Sequence, residues 1–211
     1  MNFLHKPFRY TFFNATLILI AINIGMFFLT MIFPKLTSYL GMSVIGCVGY
    51  HYWWQPVTYM FIHGGFDHIL FSMIGLFCFG IGVERALGSR EFLLMYFVCG
   101  ILDGFISLLV YWLTGYYSVL LIGASGAIYS ILFVYAVLFP RNKIFIWGIL
   151  PVPAPLLVII YAVIEVASQL FGTNAGVAHL THLTGLGLAW LYLVIRMGMH
   201  PIKIWIDAYR R

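Results

Sequence analysis

The chain reads as an all-α membrane protein, a bundle of six transmembrane helices with both termini cytoplasmic, and three observations predict this. Of its 211 residues, 63% are hydrophobic and only 8% charged, where a soluble domain carries roughly 25% charged residues. Six apolar runs, about 15–33, 68–83, 92–113, 118–139, 155–171 and 177–197, approach the roughly 20 residues that cross a hydrocarbon core of about 30 Å. Ten of the eleven lysines and arginines then fall on one side, with Lys35 alone on the other. Six helices leave little chain for a soluble part, so 1–211 is a single polytopic membrane domain.

The elements follow in order. Lys6 and Arg9 precede the first run. That run is longer than the core of a signal peptide and has no small-residue cleavage site after it, so it is a retained span. The connection 34–62 carries Tyr39, Tyr50, Tyr52, Trp53, Trp54, Tyr59 and Phe61, a density of amphipathic rings that suits an outer loop half sunk at the interface. His68 and Ser72 open the second run at i, i+4, on one helix face. Arg85 and Arg90 link it to the third, and Arg141 and Lys143 link the fourth to the fifth. Pro151, Pro153 and Pro155 bar a regular helix just before the fifth run, which is therefore short. Arg196, Lys203, Arg210 and Arg211 follow the sixth.

This asymmetry places both termini inside. The formal charge of +5 is accordingly a topology signal, and no basic stripe with interleaved aromatics points to nucleic acid. Cys47, Cys78 and Cys99 lie apart and make neither a disulfide framework nor a thiol metal site. The lack of a targeting presequence and the inside-positive pattern lead us to expect a bacterial plasma membrane.

Within this apolar frame, Gly123-Ala124-Ser125-Gly126 sets a hydroxyl between two glycines in the fourth run, and His182 stands in the sixth with Gly185 after it. A serine nucleophile needs a base. Ser125 is about seven residues into its run and His182 about five, so at roughly 1.5 Å per residue both lie on the order of 10 Å below the outer surface. His68 and Ser72 reach a similar or shallower level. Gly126 and Gly185 are small residues of the kind that let two membrane helices approach closely. Polar groups at such depth are tolerated where they face a cavity or the bundle interior, and a hydrolase there needs a water-filled cavity open to the outside. Asp103 and Glu165 are ionisable groups within spans, expected to pair with polar neighbours or stay protonated; neither is assigned a catalytic role, and if either proves an exception Asp103 is expected to be the one.

The chain resembles the rhomboid intramembrane serine proteases over nearly its whole length. The resemblance is carried by Gly123-Ala124-Ser125-Gly126 as Gly-x-Ser-Gly and by His63 with His68 in Phe-x-His-x-x-x-x-His. Val83-Glu84-Arg85-Ala86-Leu87-Gly88 and His182-Leu183-Thr184-Gly185 also match. It implies a six-helix fold of rhomboid type that cleaves single-span transmembrane substrates within the lipid bilayer by a Ser-His dyad with no third acidic member and no cofactor. Substrates would enter between the second and fifth spans. By that similarity Ser125 is the nucleophile and His182 the base that then protonates the leaving amine. Tyr129 packs against the imidazole, and His68 with the Ser125 amide holds the oxyanion. The glycine three residues on selects His182 over His179. His63 is read as structural, fixing the outer loop. Two positions depart from the pattern. Ser72 stands where the family usually has an asparagine oxyanion donor, and Gln55 follows Trp54 where a Trp-Arg pair is common, so the loop is expected to lack its usual anchor.

Three other readings remain at this stage. A catalytically impaired rhomboid-like binder of membrane proteins fits the Ser72 change, although retention of Ser125 and His182 opposes it. A metal site could draw on His179-x-x-His182 with His63 and His68, but it leaves Gly-x-Ser-Gly unexplained, and no metal is assigned. A small transporter lacks the paired broken helices at mid-depth that such folds use.

Overall fold

In lipid every backbone N–H and C=O needs an internal partner, so uninterrupted apolar runs become helices. The computed structural model describes residues 7–146, 148–171 and 176–210, with the backbone alone at 176–178. Lys6 and Arg211, two of the basic residues used above to orient the chain, lie outside the described residues. Among the described residues, five helices are long and apolar enough to cross a membrane. They are α1 (Ala15–Ile32), a composite helix over Phe66–Leu87, α6 (Ser89–Thr114), α8 (Ala154–Phe171) and α9 (Gly176–Met197). The composite joins α4 (Phe66–Gly75) and α5 (Ile81–Leu87) through a π-helical turn at Leu76–Gly80. A further apolar helix, α7 (Ser125–Leu138), has only 14 residues and lies among the others with most of its side chains buried. It packs most extensively on α9.

The short α7 departs from the expected run 118–139, because residues before Ser125 spend their backbone hydrogen bonds elsewhere. Leu121 exchanges two bonds with Met42, at 2.9 and 2.7 Å, and the Gly123 N–H donates to the Tyr59 carbonyl at 2.9 Å. Gly123 itself has φ 112°, a conformation open to glycine and closed to a helix. Helical bonding starts with Ile128 N–H to the Ala124 carbonyl, at 2.9 Å. Ser125 is therefore the first residue of its helix.

The outer loop is built of short pieces, α2 (Lys35–Leu40), a π turn at Ile45–Gly49, α3 (Gln55–Thr58) and a 3₁₀ turn at Tyr59–Phe61. Gln55 corrects the expectation of a missing anchor. It is fully buried, its Oε1 accepts from the Ser43 N–H at 3.3 Å, and its Nε2 donates to the carbonyls of Ser38 and Tyr39 at 3.3 and 3.2 Å. A neutral amide both donates and accepts, so it ties the loop to itself without burying a charge.

The all-α expectation needs one amendment. The connection after α7 holds a hairpin of β1 (Lys143–Ile146) and β2 (Leu150–Pro153), with Lys143 opposite Pro153 and Ile146 opposite Leu150. Lys-Ile-Phe-Ile is rich in strand formers, and Pro151 and Pro153 are tolerated because β2 has only one neighbour. Pro155 then sits in the first turn of α8, where its missing N–H costs nothing. After α9 the chain ends in α10 (Pro201–Tyr209), whose Trp205 Nε1 donates to the Ala136 carbonyl of α7 at 2.9 Å.

Glu84 shows how a buried charge organises one end of the bundle. Its carboxylate accepts the N–H groups of Ala15 and Thr16, at 2.6 and 2.8 Å, and the Ser89 hydroxyl at 2.5 Å. An anion at a helix N-terminus satisfies donors that the helix cannot. Glu84→Ala would leave them buried without an acceptor, at about 1–3 kcal/mol. The expected result is a lower thermal unfolding midpoint in detergent, with a smaller loss for Glu84→Gln, which keeps one acceptor.

Candidate active site

The α7–α9 crossing determines where the chemistry-bearing residues lie. A Cβ added to Gly185 would collide with the Gly126 carbonyl and sit 3.3 Å from the Gly126 Cα. One added to Gly126 would strike the Asp103 carboxylate and lie 3.2 Å from Thr181 Cγ2. The Ser130 hydroxyl bridges the carbonyls of Gly126 and Gly185 at 3.1 and 2.7 Å. Backbone contact at two glycines is the closest approach helices can make. It brings the turn holding Ser125 alongside the turn holding His182.

The imidazole of His182 stacks flat on the Tyr129 ring, centroids 4.2 Å apart and planes 3° from parallel, and Tyr129 lies one helical turn after Ser125. Ser125 is half-buried, and its hydroxyl makes no hydrogen bond among the described residues. The N–H groups of Ser125, Gly126 and Ala127 precede the first intrahelical bond, so the serine stands at the electropositive start of α7.

His68, in the first turn of α4, lies over Gly123. A Cβ there would be 2.7 Å from His68 Nε2, so the ring occupies the space that glycine leaves open. The Gly64 N–H points at His68 Nδ1, at a long 3.4 Å. A nitrogen that accepts carries no proton, which assigns the proton to Nε2, the edge beside Gly123. Ser72 is buried one turn further along α4.

His63 packs edge-on to His68 with ring centroids 5.0 Å apart. Its burial, and secondarily the neighbouring His68, push its pKa down to about 4. It is therefore neutral at ordinary pH, and neither ring nitrogen has a hydrogen-bond partner among the described residues, so His63 does not tie the outer loop through side-chain hydrogen bonds.

The carboxylates lie where the sequence could not place them. Asp103 is fully buried in α6 and accepts the Thr184 hydroxyl of α9, which makes it part of the seam that keeps position 126 a glycine. Glu165, two turns from the end of α8, gathers three donors. Tyr129 OH reaches its Oε1 at 2.5 Å, His182 Nδ1 the same oxygen at 2.8 Å, and His179 Nδ1 its Oε2 at 2.5 Å. The only warning in the sequence is its cost in an apolar span; its partners sit on other helices. This also regroups the histidines once considered as metal ligands. His63 and His68 pair with each other, and among the described residues the set whose ligand atoms lie within 4.8 Å of one another is Glu165, His179 and His182.

Ser125 thus heads the buried helix α7, and α9, which carries His182, crosses α7 at the Gly126–Gly185 seam. Residues 50–198 match the family model described as the Rhomboid domain, and the chain belongs to the rhomboid family. It is an integral, multi-pass membrane protein. It is 37% identical over 94 residues to the "Putative rhomboid protease YdcA" of Bacillus subtilis (strain 168), covering 44% of this chain and 45% of that one. To the "Rhomboid protease GluP" of the same organism it is 35% identical over 122 residues, 56% of this chain and 23% of that one. To the "Rhomboid protease AarA" of Providencia stuartii it is 30% identical over 137 residues, 55% of this chain and 47% of that one. In each case the match spans less than half the relative's length.

Proposed function

We propose that this chain is an intramembrane serine endopeptidase that cleaves single-span transmembrane proteins near the outer face of the bilayer. The observation that carries the reading is the flat stacking of His182 on Tyr129, one turn from Ser125. In the reaction His182 takes the Ser125 proton as Oγ attacks the scissile carbonyl, and then gives it to the leaving amine. Water attacks the acyl-enzyme by the same route in reverse. The oxyanion develops beside the Ser125 N–H and His68 Nε2–H, donors that need no reorganisation as charge forms.

Depth supports the same reading. A 14-residue α7 is about 21 Å long, so with its far end at the inner boundary its first residue lies roughly 9 Å inside a core of about 30 Å. With α7 counted as a span the bundle has six and both termini are cytoplasmic. The His182 side chain is 20% exposed, which suits a base that water must reach through an outward-facing cavity. A regular substrate helix hides its carbonyls in hydrogen bonds, so the scissile segment has to unwind at this level.

The test is to incubate the purified protein with a panel of single-span substrates and map cut sites by mass, while a fluorophosphonate probe reports the nucleophile. Cuts near the outer end of the substrate helix, with the label on Ser125, are expected. A label elsewhere, or cuts only in soluble segments, would sink the reading.

The position of Ser72 makes a separate prediction. A serine hydroxyl reaches less far than an asparagine amide, and loss of one oxyanion donor in a soluble serine protease costs about 10²- to 10³-fold. Ser72→Asn is expected to raise kcat on the same substrate; an unchanged or lower kcat would show that another donor already fills that place.

A further inference from the structure

We infer that Glu165 is a positioning residue for the proposed reaction, fixing the tautomer of His182 and stabilising the imidazolium that forms, so that the site works as a Ser-His-Glu triad. This deepens the protease reading and rests on Ser125 and His182 in the roles given above.

The geometry points this way on three counts. His182 Nδ1 lies 2.8 Å from Glu165 Oε1. A carboxylate only accepts, so the Nδ1 must carry the proton and the lone pair is left on Nε2. A base that is to take a proton from Ser125 needs that tautomer. Secondly, Glu165 is itself held. Tyr129 OH donates to the same Oε1 at 2.5 Å and His179 Nδ1 meets Oε2 at 2.5 Å, so both oxygens are occupied and the carboxylate cannot swing away freely. Thirdly, Tyr129 touches His182 twice over, through its ring face and through the shared Oε1. Stacking fixes the plane of the imidazole, and the carboxylate fixes its rotation within that plane.

The proton balance is simple. The Ser125 proton moves to His182 Nε2 as Oγ bonds to the carbonyl carbon. The Nδ1 proton stays on the ring, the positive charge lies 2.8 Å from the Glu165 carboxylate, and the Nε2 proton leaves with the amine. Glu165 takes no proton at any step. It stands on α8, while Ser125 and His182 stand on α7 and α9, so all three helices must be in register for full rate.

The experiment uses the full-length protein in liposomes, with kcat, KM, thermal unfolding and nitrogen-15 spectra of histidine-labelled protein, the His182 signals being assigned by their loss in His182→Ala. In soluble serine proteases, converting the triad acid to its amide lowers kcat about 10⁴-fold by leaving the wrong tautomer. We expect Glu165→Gln to lower kcat by at least about 10²-fold with KM little changed, and Glu165→Asp to recover most of the loss. His182 should be protonated at Nδ1 in the wild type and shift toward Nε2 in Glu165→Leu. Wild-type kcat in Glu165→Gln would overturn the inference. So would an unchanged His182 tautomer in Glu165→Leu, since the residue would then be serving stability alone. If the wild type neither cleaves nor takes the fluorophosphonate label at Ser125, the protease reading fails, and the nitrogen spectra still decide whether Glu165 sets the tautomer.

Discussion

Ser125→Ala is expected to abolish cleavage of a transmembrane substrate, lowering kcat by about 10⁶-fold, the scale on which a serine protease responds to loss of its nucleophile. The fold should survive the change. Ser125 opens α7 with its hydroxyl free of hydrogen bonds among the described residues, and alanine is a good helix former at such a position. Thermal unfolding should therefore match the wild type while labelling by a fluorophosphonate disappears. Equal labelling of both proteins would take Ser125 out of the mechanism. Partial activity on the order of 10⁻² would point to an activated water, because the oxyanion donors and substrate binding alone retain only a residual of about 10³- to 10⁴-fold over water.

His182→Ala and His179→Ala together make the second large prediction. The two side chains lie one helical turn apart on α9 and meet the same carboxylate, at 2.8 and 2.5 Å, so a purely structural cluster would suffer alike from either loss. The proposed chemistry separates them. Only His182 stacks on Tyr129 beside the serine, so His182→Ala is expected to cost about as much as Ser125→Ala, because nucleophile and base act as a unit. His179→Ala frees Glu165 Oε2 but leaves Oε1, with its bonds to Tyr129 and His182, in place, so kcat should fall far less than in His182→Ala. The reverse result would show that His179 is the base. Equal, complete loss in both, with a tightly held metal after chelator washing, would favour the Glu165, His179 and His182 group as a metal centre.

How much could be read in advance differs from element to element, for physical reasons. Apolar runs declare themselves because a bilayer demands about 20 such residues in a row, and α1, α6, α8 and α9 lie close to where composition puts them. The run 118–139 misled, since hydropathy measures affinity for lipid and says nothing of where helical hydrogen bonding begins. Leu121 and Gly123 are apolar and small enough for a span, yet their backbones bond Met42 and Tyr59 of the outer loop. The hairpin Lys143–Pro153 is not legible in composition, because closely spaced prolines read as a helix break and the pairing that makes a strand of them lies with Lys143–Ile146.

The histidine, serine and glycine residues of the site were legible one by one, because each is an anomaly in an apolar run and their order along the chain forms a recognisable pattern. Glu165 was equally anomalous and could not be given a role. Its meaning lies in Tyr129 and His182, 36 and 17 positions away on other helices, and separation along the chain carries no information about contact in space. Local composition thus dictated the solvent this protein folds in and the residue types available for chemistry, since both depend on side chains alone. Which oxygen meets which nitrogen depended on how closely two backbones pass at Gly126 and Gly185, and that distance exists only once the helices have packed.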